Sequence, residues 1–388
     1  MNAKKINIMT FLGWFALGSN FLLATPSWAQ DDIAESNFKL SGYVSVVGGK
    51  VLNGKLDSDY TGPASINGIQ CPCYVADWSN AGVYGEHLSL AQESRIGVQG
   101  TYTLTPQASL TGHVVSRGTN GNPDLAWAFG SYKVNQNWEV QLGRKRIPLY
   151  YYSDFQDIGV SYPWVTPPPE IYGWEATNYN GASLRYSRDL GNSQLTASVF
   201  TGQEKNKKSL YQKLYYPAGD TEVQWNNILG ADLEINQGPL TLRAVAMGAD
   251  VKTLNTNDAN PINDMAVLRA YGLAANLDMD RWFILSEFTN LSRDHAESHY
   301  KVTAPAQTVG AGMRLGKWTP FLNYSRYTER TTDSSLYTPG SYHRVSATLR
   351  YDMAASTAVK VQVDRQIDST DNFGGHVRVL RVSYDRVF

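Results

Sequence analysis

From Val377 to Phe388 the chain alternates. Leu380, Val382, Tyr384 and Phe388 share one face, and Val379, Arg381, Ser383 and Asp385 share the other. A period of two belongs to a strand with one apolar and one wet side. The pattern recurs. Val359, Val361 and Val363 oppose Lys360, Gln362 and Asp364, and Val345, Ala347, Leu349 and Tyr351 oppose Arg344, Ser346, Thr348 and Arg350. Trp318, Leu322 and Tyr324 oppose Thr319, Asn323 and Ser325; Leu195, Ala197 and Val199 oppose Gln194, Thr196 and Ser198; Ala182, Leu184 and Tyr186 oppose Ser183, Arg185 and Ser187. Ala266 to Leu277 alternates poorly. No apolar run after residue 29 approaches the roughly 20 residues that a spanning helix needs. Two all-β solutions remain: a barrel closed in lipid with its apolar face outward, or a soluble sandwich with that face inward.

Loop lengths separate them. Short turns fall at 105–107, 135–137, 190–192, 236–238, 278–280, 316–317 and 353–355. Long loops fall near 51–86, 118–122, 149–180, 204–220, 252–264, 293–303, 329–340 and 367–375. Seven short turns and eight long loops join sixteen strands. An even strand number with short turns at one end is the habit of outer-membrane barrels.

The chain start agrees. Lys4 and Lys5 precede an apolar stretch from Ile6 to Ala24, followed by Pro26, Ser27, Trp28 and Ala29. This reads as a secretory signal peptide over 1–29, cleaved after Ala29, and leaves 30–388 as one barrel domain. Aromatic residues make up 12% of the chain, and a net charge of -1 gives no general attraction to nucleic acid. Cys71 and Cys73 flank Pro72 in an exported chain, so a local disulfide is expected; free thiols and a metal role are the other readings. Two sulfurs are too few for a structural zinc site, and no metal or other cofactor is expected.

With these features the chain resembles the general, trimeric porins of Gram-negative bacteria. Phe388, with Tyr384, Val382 and Leu380 on its face, is similar to the terminal signal read by the barrel-assembly machinery; Arg386 departs from the usual apolar residue. Ser94-Arg95-Ile96-Gly97-Val98-Gln99-Gly100 resembles the porin second-strand motif, with Arg95 facing the bore. Gly143-Arg144-Lys145-Arg146 resembles the step before the constriction loop. Alternation from Trp138, Val140 and Leu142 turns Lys145 inward; a β-bulge would turn Arg144 inward, and the resemblance favours Arg144. The following loop, about 149–180, carries Asp154, Asp157, Glu170 and the stiff Pro167-Pro168-Pro169, and looks like the porin loop that folds inward. Its cluster of Tyr150, Tyr151, Tyr152, Tyr162 and Trp164 is unusually aromatic.

The resemblance implies an outer-membrane homotrimer, set in lipid, through which small hydrophilic solutes and ions diffuse. Arg95, Arg144 or Lys145, Arg146 and Arg185 on the wall would face Asp154, Asp157 and Glu170 on the loop, since charged rings set selectivity in pores. Gly42 on the first strand would suit a subunit interface. The competing reading of each arginine is a plain ion pair; of the loop acids, an outward surface; of the aromatic cluster, packing onto the wall. A porin selective for anions or sugars is the nearest alternative. An enzyme is disfavoured: there is no Gly-x-Ser-x-Gly run, and His295, Glu297 and His299 do not make the His-Glu-x-x-His order. A soluble adhesin would have no use for the terminal phenylalanine.

Overall fold

The computed structural model describes residues 37–256 and 261–388. The segment read as a signal peptide lies outside the described residues. Sixteen long strands among those residues form the main sheet: β1 (Phe38–Lys55), β2 (Arg95–Thr103), β3 (Ala108–Arg117), β4 (Pro123–Lys133), β5 (Trp138–Arg146), β6 (Asn178–Leu190), β7 (Ser193–Asn206) and β8 (Glu222–Gln237), then β9 (Leu240–Asn255), β10 (Ile262–Asp278), β11 (Trp282–His295), β12 (Tyr300–Met313), β13 (Trp318–Thr328), β14 (Ser341–Ala354), β15 (Thr357–Asp368) and β16 (His376–Val387). Each pairs antiparallel with its sequence neighbour. The sheet closes because β1 pairs with β2 on one side, Val44 opposite Ile96, and with β16 on the other, Val46 opposite Tyr384. No helix of the described residues is long and apolar enough to cross a membrane, and the closed ladder leaves no strand edge unpaired.

Alternation sorts the side chains. Leu142 and Leu322, pointing outward, are 68% and 64% exposed, whereas Arg344, Asp364 and Arg381, pointing inward, are 0% exposed. Trp138, Trp282 and Trp318 open their strands directly after short turns and face outward. Indole rings there suit the boundary between hydrocarbon and head groups.

Three loop expectations change. The loops placed at 252–264 and 293–303 shrink, since β9 runs to Asn255 and β10 starts at Ile262, and β11 runs to His295 and β12 starts at Tyr300. The first loop starts later and runs longer than 51–86, from the end of β1 at Lys55 to the start of β2 at Arg95. Beyond the apolar band a strand can be polar on both faces, so hydropathy misses those ends. Poorly alternating Ala266–Leu277 lies within β10; Ala266, Leu268 and Ala270 are buried inside while Val267, Tyr271 and Leu273 are exposed outside. Gly42 lies under the Phe388 ring, where a Cβ would be 2.6 Å from Cε2, so its small size serves a contact within the chain.

Candidate channel site

The segment between β5 and β6 enters the barrel. It contains two short 3-10 turns, Ser153–Phe155 and Gly159–Ser161, and a one-turn helix α1 (Pro169–Tyr172) with a proline in its first turn, where no amide donor is needed. Tyr162, Trp164 and Ile171 are no more than 2% exposed and share a core with wall residues Trp225, Met247, Leu268, Leu291 and Phe321. The Trp164 ring meets Phe321 edge-on at 5.1 Å, and Trp174 meets Trp225 at 5.5 Å. The aromatic cluster therefore packs the loop onto the wall. The first loop adds a buried hairpin of Tyr74–Asp77 against Gly82–Tyr84, whose Tyr74 hydroxyl accepts from Arg344 at 2.9 Å.

Ion pairs fix the same loop. Asp157 accepts from Arg117 through both oxygens, at 2.7 and 2.8 Å, and from Arg146 at 2.7 Å; Arg95 lies 3.9 Å away and donates to the Asp157 carbonyl at 2.7 Å. Burial alone would raise the Asp157 carboxyl, but Arg117, Arg146 and Arg95 together hold it well below the usual carboxylate range. Glu170 accepts from Arg344 through both oxygens at 3.0 Å and from Ser325 at 2.8 Å. Arg344 also meets Asp364, which meets Arg381, which meets Glu93. Lys360 donates to the carbonyls of Gly159 and Trp164 at 2.5 and 2.6 Å. Contact is so close that a Cβ at Gly159 would lie 1.9 Å from an Asp385 carboxylate oxygen. Glu287 accepts from the Tyr151 amide at 3.0 Å and the Tyr172 hydroxyl at 2.5 Å.

The expected eyelet is thus rearranged. Arg95, Arg146, Asp157 and Glu170 come together in buried pairs rather than facing one another across water. Arg144 is corrected: it continues the outward row of Trp138, Val140 and Leu142 and donates to both Glu204 oxygens at 2.7 and 2.8 Å. Lys145 points inward, reaching Gln141 and, at 2.8 Å, Ser183. Before them Gly143 has a φ of 139°, left-handed backbone that favours glycine, and its missing Cβ would lie 2.3 Å from the Ala128 carbonyl. The pairing of β5 with β4 and β6 runs without a register shift there, so no bulge reverses Arg144 and Lys145, and only Arg146 at the strand end turns inward as well.

A wet strip remains near the short turns of β5 to β9, below the part where Tyr179, Phe200 and Trp225 join the loop core. Arg185 stands on the inner face of β6 between Glu139 and Ser198. Asp154 is exposed on the underside of the loop, within electrostatic reach of Lys145 and Arg243. Arg243 lies 3.7 Å from Asp232 and donates to the Pro148 carbonyl at 2.8 Å. Sequence reasoning gave no role to Arg117, Arg243, Lys360 or Arg381, although Lys360 and Arg381 already stood on the wet faces of their strands. Cys71 and Cys73 are joined as a disulfide in the first loop, and His295 pairs with Asp264 at 2.8 Å.

No protein-family model matches the chain, and no curated protein matches it by sequence. Solved structures do. The outer-membrane channel DcaP of Acinetobacter baumannii is 14% identical, with a TM-score of 0.57 over 90% of this chain and 97% of that one. The anion-selective porin of Comamonas acidovorans gives the same identity and TM-score, over 90% and 99% of the two chains. The fold is that of a sixteen-stranded porin. OmpT of Vibrio cholerae, an outer-membrane protein solved in a trimer form, aligns with a TM-score of 0.56 at 10% identity, over 90% of this chain and 99% of that one.

Proposed function

We propose that the protein is a porin of the Gram-negative outer membrane, a passive channel for small hydrophilic solutes rather than an enzyme. One observation carries this reading: a closed ring of sixteen strands is apolar outside and, near the short turns of β5 to β9, turns Glu139, Arg185, Asp232 and Arg243 inward. Sixteen strands enclose more space than wall side chains alone fill, and here two inserted loops reduce it. Solutes cross where Asp154 faces Lys145, Arg185 and Arg243. Three copies assemble, as the trimer form of the Vibrio protein suggests, and Phe388 with Tyr384 presents the signal for barrel assembly.

The purified protein in a planar bilayer should give stepwise conductance in KCl, with closures in threes. A protein that stays soluble without detergent and gives no steps would overturn the proposal. A second reading, a substrate-selective porin, is favoured by the packing of Trp164, Tyr162 and Ile171 against the wall, because a filled upper bore leaves little room for unselective diffusion.

A further inference from the structure

At the long-loop end, tyrosines converge from separate segments. Tyr211, Tyr215 and Tyr216 come from the loop after β7, Tyr300 from the start of β12, Tyr327 from the end of β13, and Tyr337 from the loop after β13. Tyr215 and Tyr216 are 40% and 37% exposed. Tyr300 and Tyr337 lie nearly parallel, 6.2 Å apart at 25°, and Tyr211 lies 5.5 Å from Tyr215. The group is backed rather than floating: Tyr215 stacks on Trp78 at 6.1 Å and packs against Phe373 at 5.6 Å. Polar groups stand among the rings. Glu329 accepts from the Tyr327 hydroxyl at 2.7 Å and interacts with Tyr337, and Arg293 pairs with Glu175 at 2.8 Å while remaining 26% exposed on its side chain.

We infer that this mouth is a binding site for a neutral saccharide; the inference rests on the channel reading above and names its substrate class. A sugar ring has an apolar face of C–H groups and a rim of hydroxyls. Partly exposed tyrosine rings match the former, and tyrosine is stiff, so it offers contact area at low entropic cost. A carboxylate acceptor and a guanidinium donor match the latter, in the usual recipe of aromatic walls with a few placed polar groups. Arg293 disfavours an organic cation, and Glu329 with Glu175 disfavours an anion. A purely structural cluster would be buried throughout, whereas Tyr215 and Tyr216 keep more than a third of their surface in solvent.

The test uses maltotriose as probe, added on the long-loop side of a bilayer holding the intact protein. The KCl current should be interrupted in a concentration-dependent way. In Tyr215→Leu with Tyr337→Leu the half-blocking concentration should rise about tenfold per ring removed, the scale of a single lost ring contact. Tyr215→Phe, which keeps the ring, should stay near the native value and controls for misfolding. A KCl current that maltotriose does not interrupt overturns the saccharide site and leaves the channel standing. Absence of any KCl current overturns the channel reading, and the site with it.

Discussion

Asp157→Asn should loosen the inner loop from the wall and turn the channel toward anions. One carboxylate, 7% exposed, faces Arg117 and Arg146 at 2.7 Å and Arg95 at 3.9 Å. Removing one partner of a buried pair costs about 3–5 kcal/mol, because the remaining charge stays desolvated. At about 1.4 kcal/mol per tenfold, docking of this segment weakens by roughly two to three and a half orders of magnitude. The asparagine can still accept from a guanidinium, but it cancels no charge. The rest of the loop should stay, held by Glu170 on Arg344 and by Trp164 in its core. The segment around 154–160 then moves off the wall, and three guanidiniums face the bore. In a bilayer under a KCl gradient the variant should conduct more, and its reversal potential should shift toward chloride. Native conductance together with a native reversal potential would refute the reasoning, because it would mean that Asp157 neither anchors the loop nor masks the arginines.

Lys145→Glu should move the reversal potential toward cations, whereas Arg144→Ala should leave it in place; equal effects would contradict the opposite facing of the two side chains. Trp164→Ala should destabilise the barrel by about 3–5 kcal/mol, read as a lower midpoint in the heat-induced gel shift of the folded protein, and an unchanged midpoint would mean the loop core adds nothing to the barrel. The depressed Asp157 carboxyl contributes stability that is present above the ordinary carboxylate range and is lost only as pH falls through its lowered value. Acidifying from neutral to about pH 5 should therefore leave this anchor closed, so the native and Asp157→Asn conductances should remain apart across that range.

Much of the barrel was legible because lipid and water impose opposite demands on the two sides of a strand. That is plain in β14 to β16, where Val345, Val361 and Val382 alternate with Arg344, Gln362 and Arg381. It failed in β10 for a physical reason: Leu268 meets the inserted loop and Leu273 meets the outside, so both faces are apolar. Weak alternation there marked where the loop lands. The site was less legible. Sequence gives the sign of Glu170 and Arg344 but not that they meet across a separation of 174 residues. For Arg144 and Lys145, local alternation from Leu142 proved a better guide than likeness to a family.

The inserted loop ties distant parts of the cylinder together. It holds Arg117 and Arg146 through Asp157, Lys360 through its own carbonyls, Arg344 through Glu170, and Glu287 through Tyr151 and Tyr172. Such a strut resists flattening of the tube into an ellipse, so stiffness and bore cannot be tuned separately. Any change that widens the passage by freeing the strut should also leave a softer cylinder, more easily deformed by the lateral pressure of the bilayer around it.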